Sequence, residues 1–405
     1  MKVRAPELLE AAQLVRRTSL RVDHAAVEEL AGRGREDMLE RVLVPFVDPD
    51  DVPRFDDSED AIEWWTQKIV SKPSGIHERM TFFWHTHLTT HRSAAGEAEL
   101  IGRQLSTIRT HALGNFRELL QAFVTDGALM VYLDADRSKA ENPNENLSRE
   151  LMELFTFGIG NYTEADVKAG ALAMAGWRLD RDNDFVVAYD PENGHTGTVS
   201  YLGEERDWDL PKIVDRLCDD PLTAQRVAGK VWYHIIGAEA DDTRREELGK
   251  WWLANDLEIM PLVERIVSDP AMIETHYARP RSGFEVYAAL VAVAKLDPKD
   301  TWQARQIGQA LYEPPNVAGW PKDRWLTPDS MLRRSHIIGS IDYNAIENAL
   351  TYSADEILDR CGIYMAEQST LDAIANPKFT EKLGEEGIAQ VRWRVALSSP
   401  EFQLT

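Results

Sequence analysis

Apolar residues recur every three or four positions along most of this chain, and that periodicity limits the possible folds more than any other feature. Leu8, Leu9, Ala12 and Leu14 begin the first stripe, and the pattern returns through much of the sequence up to about residue 349. Side chains with this spacing lie on one face of an α-helix. We therefore predict a mainly α fold with a large multi-helix domain.

One segment, from Phe185 to Leu202, departs from the helical period. It contains two short runs, FVVAY and TVSYL, separated by the turn-forming residues DPENGHTG. Runs rich in β-branched and aromatic residues that flank such a loop are typical of paired strands. We predict a small β-hairpin insertion near residues 185–202.

An acidic, proline-containing loop at residues 48–60, DPDDVPRFDDSED, predicts the first boundary along the chain. On this interpretation residues 1–60 form an N-terminal helical arm. Residues 61–350 form the main helical domain with the hairpin, and residues 351–405 form C-terminal helices packed on it.

The charge balance excludes several classes of function. The formal net charge is −23, because 68 acidic residues face 45 lysines and arginines. Binding to nucleic acid or to an anionic membrane surface needs clustered cations, so neither is expected. The sequence has no apolar run of membrane-spanning length and no export signal in MKVRAPELLEAAQLVRR, which favours the cytoplasm. Cys218 and Cys361 match no zinc or redox spacing, and we expect two buried thiols.

Two carboxylates on one predicted helix are the first candidates for chemistry. Glu150 and Glu153 in NENLSRELMELF are three residues apart and share a helix face, and Asn146 extends the same stripe. Carboxylates that are partly buried need partners, and a metal cation is one such partner. The alternative is ordinary surface ion pairing, because Arg149 stands four residues from both Glu145 and Glu153.

Two histidines in FFWHTHLTTHR are the second candidates. His85 and His87 are two residues apart, or about 200° around a regular helix, so both can face one metal only if the helix is distorted. His87 and His91 have the four-residue spacing of a zinc-protease helix, but HLTTH lacks its glutamate. The alternative is that these imidazoles only pack in an apolar core.

The loop EPPNVAGWPKDRW is a candidate pocket wall. Asn316, Trp320 and Trp325 could line a pocket, with the indole rings stacked on a ligand. The alternative is a rigid proline loop that its tryptophans anchor in the core. The chain contains neither a phosphate-binding P-loop nor a GxSxG nucleophile elbow.

Several motifs resemble those of the bacterial domain-of-unknown-function 1800 family, in the same order along the chain. The matching segments are FFWHTHLTT, LGNFRELLQAF, PNENLSRELMELFTFGIGNYTEADV, AGW, HTGTVSYLG and GQALYEPPNVAGWPKDRWL. The resemblance implies that the family's His-x-His motif falls on His85 and His87, and its further histidine on His195. The family's Asn-Glu-Asn-x-x-Arg-Glu-x-x-Glu helix falls on Asn144, Glu145, Asn146, Arg149, Glu150 and Glu153. Near the N-terminus this chain reads RRTSLRVD, without the glycines and the aromatic residue of the family motif.

The residues and the resemblance together favour a metal-dependent enzyme. We expect one or both of His85 and His87 to hold a divalent transition metal with Glu150 and Glu153, and His195 is a further candidate ligand. Imidazole and carboxylate ligands suit iron, manganese or zinc. Asn146 and Arg149 would orient the carboxylates. Oxidative chemistry on an organic or peptide substrate is preferred, and zinc would instead imply hydrolysis.

A function of another class is also possible, namely a non-catalytic helical scaffold that binds a partner protein. The family resembles a partner of secreted, sulfatase-like proteins, so such a partner is expected. That association makes co-export to the periplasm or the outside the alternative to a cytoplasmic location.

Overall fold

Side-chain caps fix where many of the helices begin. The computed structural model describes residues 2–44, 52–71, 75–299, 301–343, 346, 349–378, 380 and 382–405. Asp126 accepts hydrogen bonds from the backbone N–H groups that follow it and starts one helix. Thr163, Ser282 and Ser353 each form a capping box with the acidic residue three positions later. Such caps satisfy N–H groups that a helix itself leaves unpaired.

Helices dominate the described part of the chain, which confirms the predicted mainly α fold. They are α1 (Pro6–Thr18), α2 (His24–Leu30), α3 (Arg35–Leu43), α4 (Ser58–Ser71), α5 (Gly75–His87), α6 (Arg92–Ala95), α7 (Ala98–His111), α8 (Phe116–Val124), α9 (Gly127–Tyr132), α10 (Asn146–Glu150), α11 (Glu164–Ala173), α12 (Leu210–Cys218), α13 (Pro221–Ile236), α14 (Asp242–Ala254), α15 (Ile259–Ser268), α16 (Ala271–Glu274), α17 (Gly283–Ala294), α18 (Trp302–Ile307), α19 (Pro328–Ser340), α20 (Ala354–Arg360), α21 (Gln368–Ala375), α22 (Glu385–Ser398) and α23 (Pro400–Gln403).

Three antiparallel pairs of strands are present in the described residues. They are β1 (Lys2–Val3) with β6 (Met365–Ala366), β2 (Trp177–Asp180) with β3 (Val186–Tyr189), and β4 (Val199–Tyr201) with β5 (Glu204–Arg206). A β-hairpin is therefore present near the predicted position, but the two predicted runs do not pair with each other. Each pairs with its nearer neighbour in sequence, and a two-residue turn at Leu202 and Gly203, both with positive φ, connects β4 to β5. Such a turn matches the twist of the flanking strands, whereas the predicted pairing needed a longer loop.

The helix of the predicted carboxylates changes its winding along its length. Residues Asn146–Glu150 are α-helical, and Leu151–Phe155 continue as a π-helix. A π-helical turn holds more residues than an α-helical turn, so Glu153 is displaced from the position that regular spacing gives it relative to Glu150. Gly158 ends the segment with a positive φ of 89°.

Two clusters of buried apolar side chains form the core. The first includes Trp84 and Trp252, and the second includes Leu20, Trp65 and Trp393. The second cluster thus contains residues from all three regions into which the sequence was divided. The three-region division stays a prediction, and residues 48–51 of the predicted boundary loop lie outside the described residues.

Both cysteines are buried free thiols, as predicted for Cys218 and Cys361. Within the described residues, no helix combines the length and the apolar character that crossing a bilayer requires.

Candidate functional site

A cavity of about 300 Å³ lies between the C-terminal half of α5, the helix α13, the start of α17 and the loop at residues 318–325. Its wall combines aromatic rings with two lysines, one arginine and one carboxylate. The lining residues are Phe82, Phe83, Thr86, His87, Lys230, Tyr233, His234, Arg279, Ser282, Glu285, Gln309, Ala318, Trp320, Pro321, Lys322 and Trp325.

His87, the last residue of α5, uses both of its ring nitrogens in hydrogen bonds. Its Nδ1 lies 3.0 Å from the Nζ of Lys230, and its Nε2 lies 3.2 Å from the carbonyl oxygen of Phe155. Since Nδ1 accepts from the lysine, Nε2 carries the hydrogen and donates it to Phe155. Burial, together with the cations of Lys230 and Arg226, holds the pKa of His87 well below its usual range. The imidazole is therefore neutral.

Lys230 projects from α13 and is partly buried. Besides His87, its Nζ donates to the carbonyl oxygen of Leu154 at 3.4 Å. Among the described residues, no carboxylate forms an ion pair with this amine. Burial lowers the pKa of Lys230 well below its usual range, and the cations of Arg226 and Lys322 lower it further. Arg226, one helical turn earlier, is held by the carbonyl oxygens of Leu154 and Thr156 at 2.8 and 3.0 Å.

An ion-pair network forms the inner wall of the cavity. Glu285 accepts hydrogen bonds from Arg79 at 2.7 Å and from Arg279 at 2.7 and 2.8 Å. Burial alone would raise the pKa of the Glu285 carboxyl, but the two guanidinium groups hold it well below its usual range. Two arginines therefore share one carboxylate.

His234 lies beside this pair of arginines. Its Nε2 is buried and has no hydrogen-bond partner among the described residues. Burial, followed by the charges of Arg79 and Arg279, holds the pKa of His234 well below its usual range, so the ring is neutral.

The loop at residues 318–325 closes the cavity on the outer side. Gly319 has a φ of 79°, and a Cβ there would lie 3.0 Å from the carbonyl oxygen of Thr86, so glycine allows the loop to pack closely on α5. Trp320 and Trp325 both line the cavity. Asn316 does not line it, and its side-chain oxygen instead accepts from the backbone N–H of Ala318 at 2.9 Å.

His85 also belongs to α5, but it does not line the cavity. Its Nε2 accepts a hydrogen bond from the backbone N–H of Tyr312 at 3.3 Å, and its Nδ1 is buried without a partner. The ring packs against Trp65, Tyr312 and Trp320 with centroid distances of 5.1, 4.4 and 5.8 Å. Burial lowers the pKa of His85 to about 3, so this ring is neutral too.

The predicted carboxylates have different surroundings. Glu150 is half-buried and has no hydrogen-bond or ion-pair partner among the described residues. Burial raises its pKa, and the neighbouring charge of Glu153 raises it further. Glu153 accepts a hydrogen bond from the hydroxyl of Tyr162, whose pKa burial and this carboxylate raise to about 12.

The residues predicted to orient those carboxylates are engaged elsewhere. Arg149 pairs with Glu145 at 3.1 Å and with Glu164 at 2.7 Å. Asn146 is exposed, and its amide donates weakly to the carbonyl oxygen of Leu133 at 3.4 Å. The surface ion pair between Glu145 and Arg149 is therefore present in the structure. It belongs to the ion pairing that the sequence analysis gave as the alternative to a metal site.

His195 lies in the loop between β3 and β4, where its Nε2 is buried without a hydrogen-bond partner. No three His, Cys, Asp or Glu side chains within the described part of the chain are placed to hold a metal ion together. The five predicted ligands are therefore not assembled around one point. The helix α5 contacts the π-helical segment through the hydrogen bond between His87 and the carbonyl oxygen of Phe155.

Comparison with known proteins identifies the family. A family model described as "Protein of unknown function (DUF1800)" matches residues 13–404, nearly the whole chain. The protein belongs to the DUF1800 family. No curated protein and no solved structure matches this chain.

In this DUF1800 protein, sequence reasoning missed Lys230, His234, Arg279 and Glu285 as residues of a site. Lys230 and Arg226 have the residue type of solvated helix charges, but both are partly buried and donate to carbonyl oxygens. One signal was available. Lys230 and His234 are four residues apart on α13, so they share a face of a helix that is otherwise largely apolar.

Proposed function

We propose that this DUF1800 protein is an enzyme that binds a small anionic organic molecule in the cavity between α5, α13 and the loop at residues 318–325. The observation that carries the proposal is Lys230. It is a partly buried amine on the cavity wall with no carboxylate partner among the described residues, and its Nζ lies 3.0 Å from the neutral imidazole of His87.

The charge of the cavity wall supports an anionic ligand. Arg279, Lys322 and the amine of Lys230 line the cavity with one carboxylate, Glu285. Lys322 is largely exposed and pairs with Glu239, so Arg279 is the buried cation of the wall. Glu285 is shared between Arg279 and Arg79, so it does not neutralise the wall. The buried charge of Arg279 is therefore only partly matched, and an anionic ligand lowers the cost of burying it.

The shape and the apolar part of the wall support a small organic molecule. A volume of about 300 Å³ is at the lower end of the usual range for ligand sites. Phe82, Phe83 and Trp320 supply aromatic surface beside the charged groups. Such a mixture of apolar rings and a few converging polar groups is typical of sites for small molecules.

The pairing of Lys230 with His87 supports catalysis rather than binding alone. Both groups have pKa values well below their usual ranges, because burial disfavours their charged forms. A neutral amine and a neutral imidazole can each accept a proton in the reaction, and strongly shifted groups in a cleft are typical of active sites.

Titration calorimetry with small carboxylates and with inorganic phosphate tests the proposal. We expect at least one of these anions to bind the wild-type protein, and Lys230→Met to weaken that binding at least about tenfold, or about 1.4 kcal/mol. Lys212→Met is the matched control, since Lys212 pairs with Asp209 on the surface of α12. Absence of anion binding, or equal affinity in Lys230→Met, would contradict the proposal.

A metal-dependent enzyme is the second candidate, and Glu150 favours it. This half-buried carboxylate has no partner among the described residues, and its neighbour Glu153 raises its pKa. Iron, manganese or zinc at these two carboxylates would relieve their repulsion and supply the oxidative or hydrolytic chemistry expected from the sequence. His85 and His195 each have a buried nitrogen without a partner, whereas His87 can join only if Lys230 and Phe155 release it.

Metal analysis combined with thermal melts tests this second candidate. Free metal at about 100 times its dissociation constant should raise the free energy of unfolding by about 2.7 kcal/mol. Glu150→Gln should lose most of that gain, and Glu145→Gln, whose carboxylate pairs with Arg149, should keep it. Equal metal-induced shifts in the wild type and in Glu150→Gln would contradict the carboxylate site.

The structure contains one chain, so a partner protein of the secreted, sulfatase-like type stays a prediction from the resemblance. The cytoplasmic location and its alternative, co-export with such a partner, stay predictions for the same reason.

A further inference from the structure

We propose that Lys230 forms an imine with the carbonyl carbon of a small keto acid or aldehyde acid bound in the cavity. This inference rests on the proposed function, because it assigns the carbonyl chemistry of the anion that the same cavity binds. It gives Lys230 a covalent role that simple attraction of an anion does not require.

The hydrogen bonds of Lys230 present its amine as a nucleophile. Two acceptors, His87 Nδ1 at 3.0 Å and the Leu154 carbonyl oxygen at 3.4 Å, take its hydrogens. A neutral amine that donates both hydrogens in this way keeps its lone pair for an electrophilic carbon. Since Lys230 lines the cavity, that carbon can reach it from a bound ligand.

The surroundings of Lys230 favour the neutral amine that attack requires. The positively charged Arg226 lies one turn earlier on α13 and Lys322 lines the same cavity, and the charges of both disfavour protonation of Lys230. No carboxylate pairs with the amine in the part of the chain that the structure describes. Desolvation and a nearby cation are the two means by which reactive lysines are activated.

His87 is placed to move the proton of the reaction. Attack of the amine on the carbonyl carbon forms a C–N bond and converts the carbonyl to an alkoxide. The amine proton passes to His87 Nδ1, since His87 Nε2 already donates to Phe155. His87 returns that proton to the alkoxide, which gives the carbinolamine. In a second transfer His87 carries the remaining amine proton to the hydroxyl, which leaves as water. The carbonyl compound and the amine thus give one imine and one water, with no oxidant or reductant.

The part of the cavity wall one helical turn beyond Lys230 suits the carboxylate of the same molecule. His234 Nε2 is buried, has no partner among the described residues and belongs to the cavity wall. Arg279 contributes positive charge there, because it shares its carboxylate partner Glu285 with Arg79. A molecule that carries a carboxylate next to its carbonyl therefore meets a cationic surface and the amine in one small space.

Reductive trapping tests the imine directly. The full chain is incubated with pyruvate or glyoxylate and sodium cyanoborohydride, which reduces an imine to a stable secondary amine, and the product is mapped by peptide mass spectrometry. We expect saturable labelling of one lysine, Lys230, at least about tenfold above any surface lysine. An uncharged aldehyde such as acetaldehyde should label it less, because it lacks the carboxylate.

Two controls keep the test decisive. Lys230→Met should lose the label while Lys212→Met keeps it, with thermal melts to confirm that both variants fold. In the wild type, propanoate, an anion without a ketone or aldehyde group, should protect Lys230 by competition.

Labelling spread over surface lysines without saturation would overturn the imine. Anion binding in calorimetry without trapping would overturn the imine and leave the proposed function standing, and absence of both would overturn the two together.

Discussion

Asp126 offers a prediction that depends on burial alone and not on any proposed function. It caps α9 by accepting hydrogen bonds from the backbone N–H groups of Ala128 and Leu129 at 3.0 and 3.3 Å, and Gln104 Nε2 donates to it at 2.7 Å. These three donors favour the charged carboxylate, but burial outweighs them and raises the pKa of Asp126 from 3.8 to about 7.

The raised pKa makes Asp126 a source of instability at neutral pH. The native state binds the proton more tightly than the unfolded chain, so the wild type is free of the penalty below about pH 4. The penalty grows as the pH rises towards 7, and above that it is constant. A shift from 3.8 to about 7 corresponds to about 4 kcal/mol at its full extent, of which about 2–3 kcal/mol develops between about pH 5 and pH 8.

Asp126→Asn removes the charge and keeps the side-chain oxygen that caps α9. We therefore expect its free energy of unfolding, relative to wild type, to rise by about 2–3 kcal/mol between about pH 5 and pH 8. Urea denaturation at several pH values with both proteins measures this difference. Asp241→Asn is the control for replacing an aspartate at an exposed helix cap, that of α14. A difference between Asp126→Asn and wild type that stays constant with pH would refute the reasoning.

Two further pairs of variants test the packing and the buried charges, each by urea denaturation. Gly249→Ala should cost about 1–3 kcal/mol, because the new Cβ would lie 2.6 Å from the backbone of α13, whereas Gly339→Ala meets open space and should stabilise α19 by about 0.5–1 kcal/mol. Equal effects of the two would contradict the close packing of α13 on α14. Arg109→Met leaves the buried carboxylate of Glu78 without its ion pair and should cost about 3–5 kcal/mol, while Arg41→Met on the surface should cost less than about 1 kcal/mol. A small effect of Arg109→Met would show that Glu78 is neutral or hydrated.

Helix positions could be predicted from the sequence because the signals that set them are local. Thr163 is a residue type that commonly starts a helix, and it starts α11 through a capping box with Asp166. Gly176 follows that helix and adopts a φ of 103° that other residues rarely accept. Periodicity and caps act over a few residues, so one sequence is enough to read them.

Strand pairing could be predicted less well, since it depends on a choice between partners. The runs at Val186–Tyr189 and Val199–Tyr201 were recognised as strands, but they were predicted to pair with each other. The structure uses the shorter connection in both cases. Closing a short turn orders fewer residues than closing a long loop, and a favourable turn type adds to that preference.

The cavity could not be predicted from local signals. His87 and Lys230 are 143 positions apart, and only the packing of α5 beside α13 joins them. Trp320 and Trp325 were singled out as pocket residues, but the charges that face them come from α13 and from the segment before α17. The composition, with its large acidic excess, indicated no cationic site at all.

The acidic excess is a property of the whole chain, whereas the cationic group lies in the wall of one cavity. The net charge of −23 repels anions at long range, so general electrostatic attraction cannot bring an anionic ligand to this protein. The charge of Arg279, in contrast, acts over a few ångströms in a partly dry space where charges interact more strongly than in water, and the neutral amine of Lys230 lines the same space. Recognition must therefore depend on contact inside the cavity, which selects a ligand by its shape and by the placement of its charge. A small molecule whose carboxylate and carbonyl fit between His234 and Lys230 meets that requirement, and a larger polyanion does not.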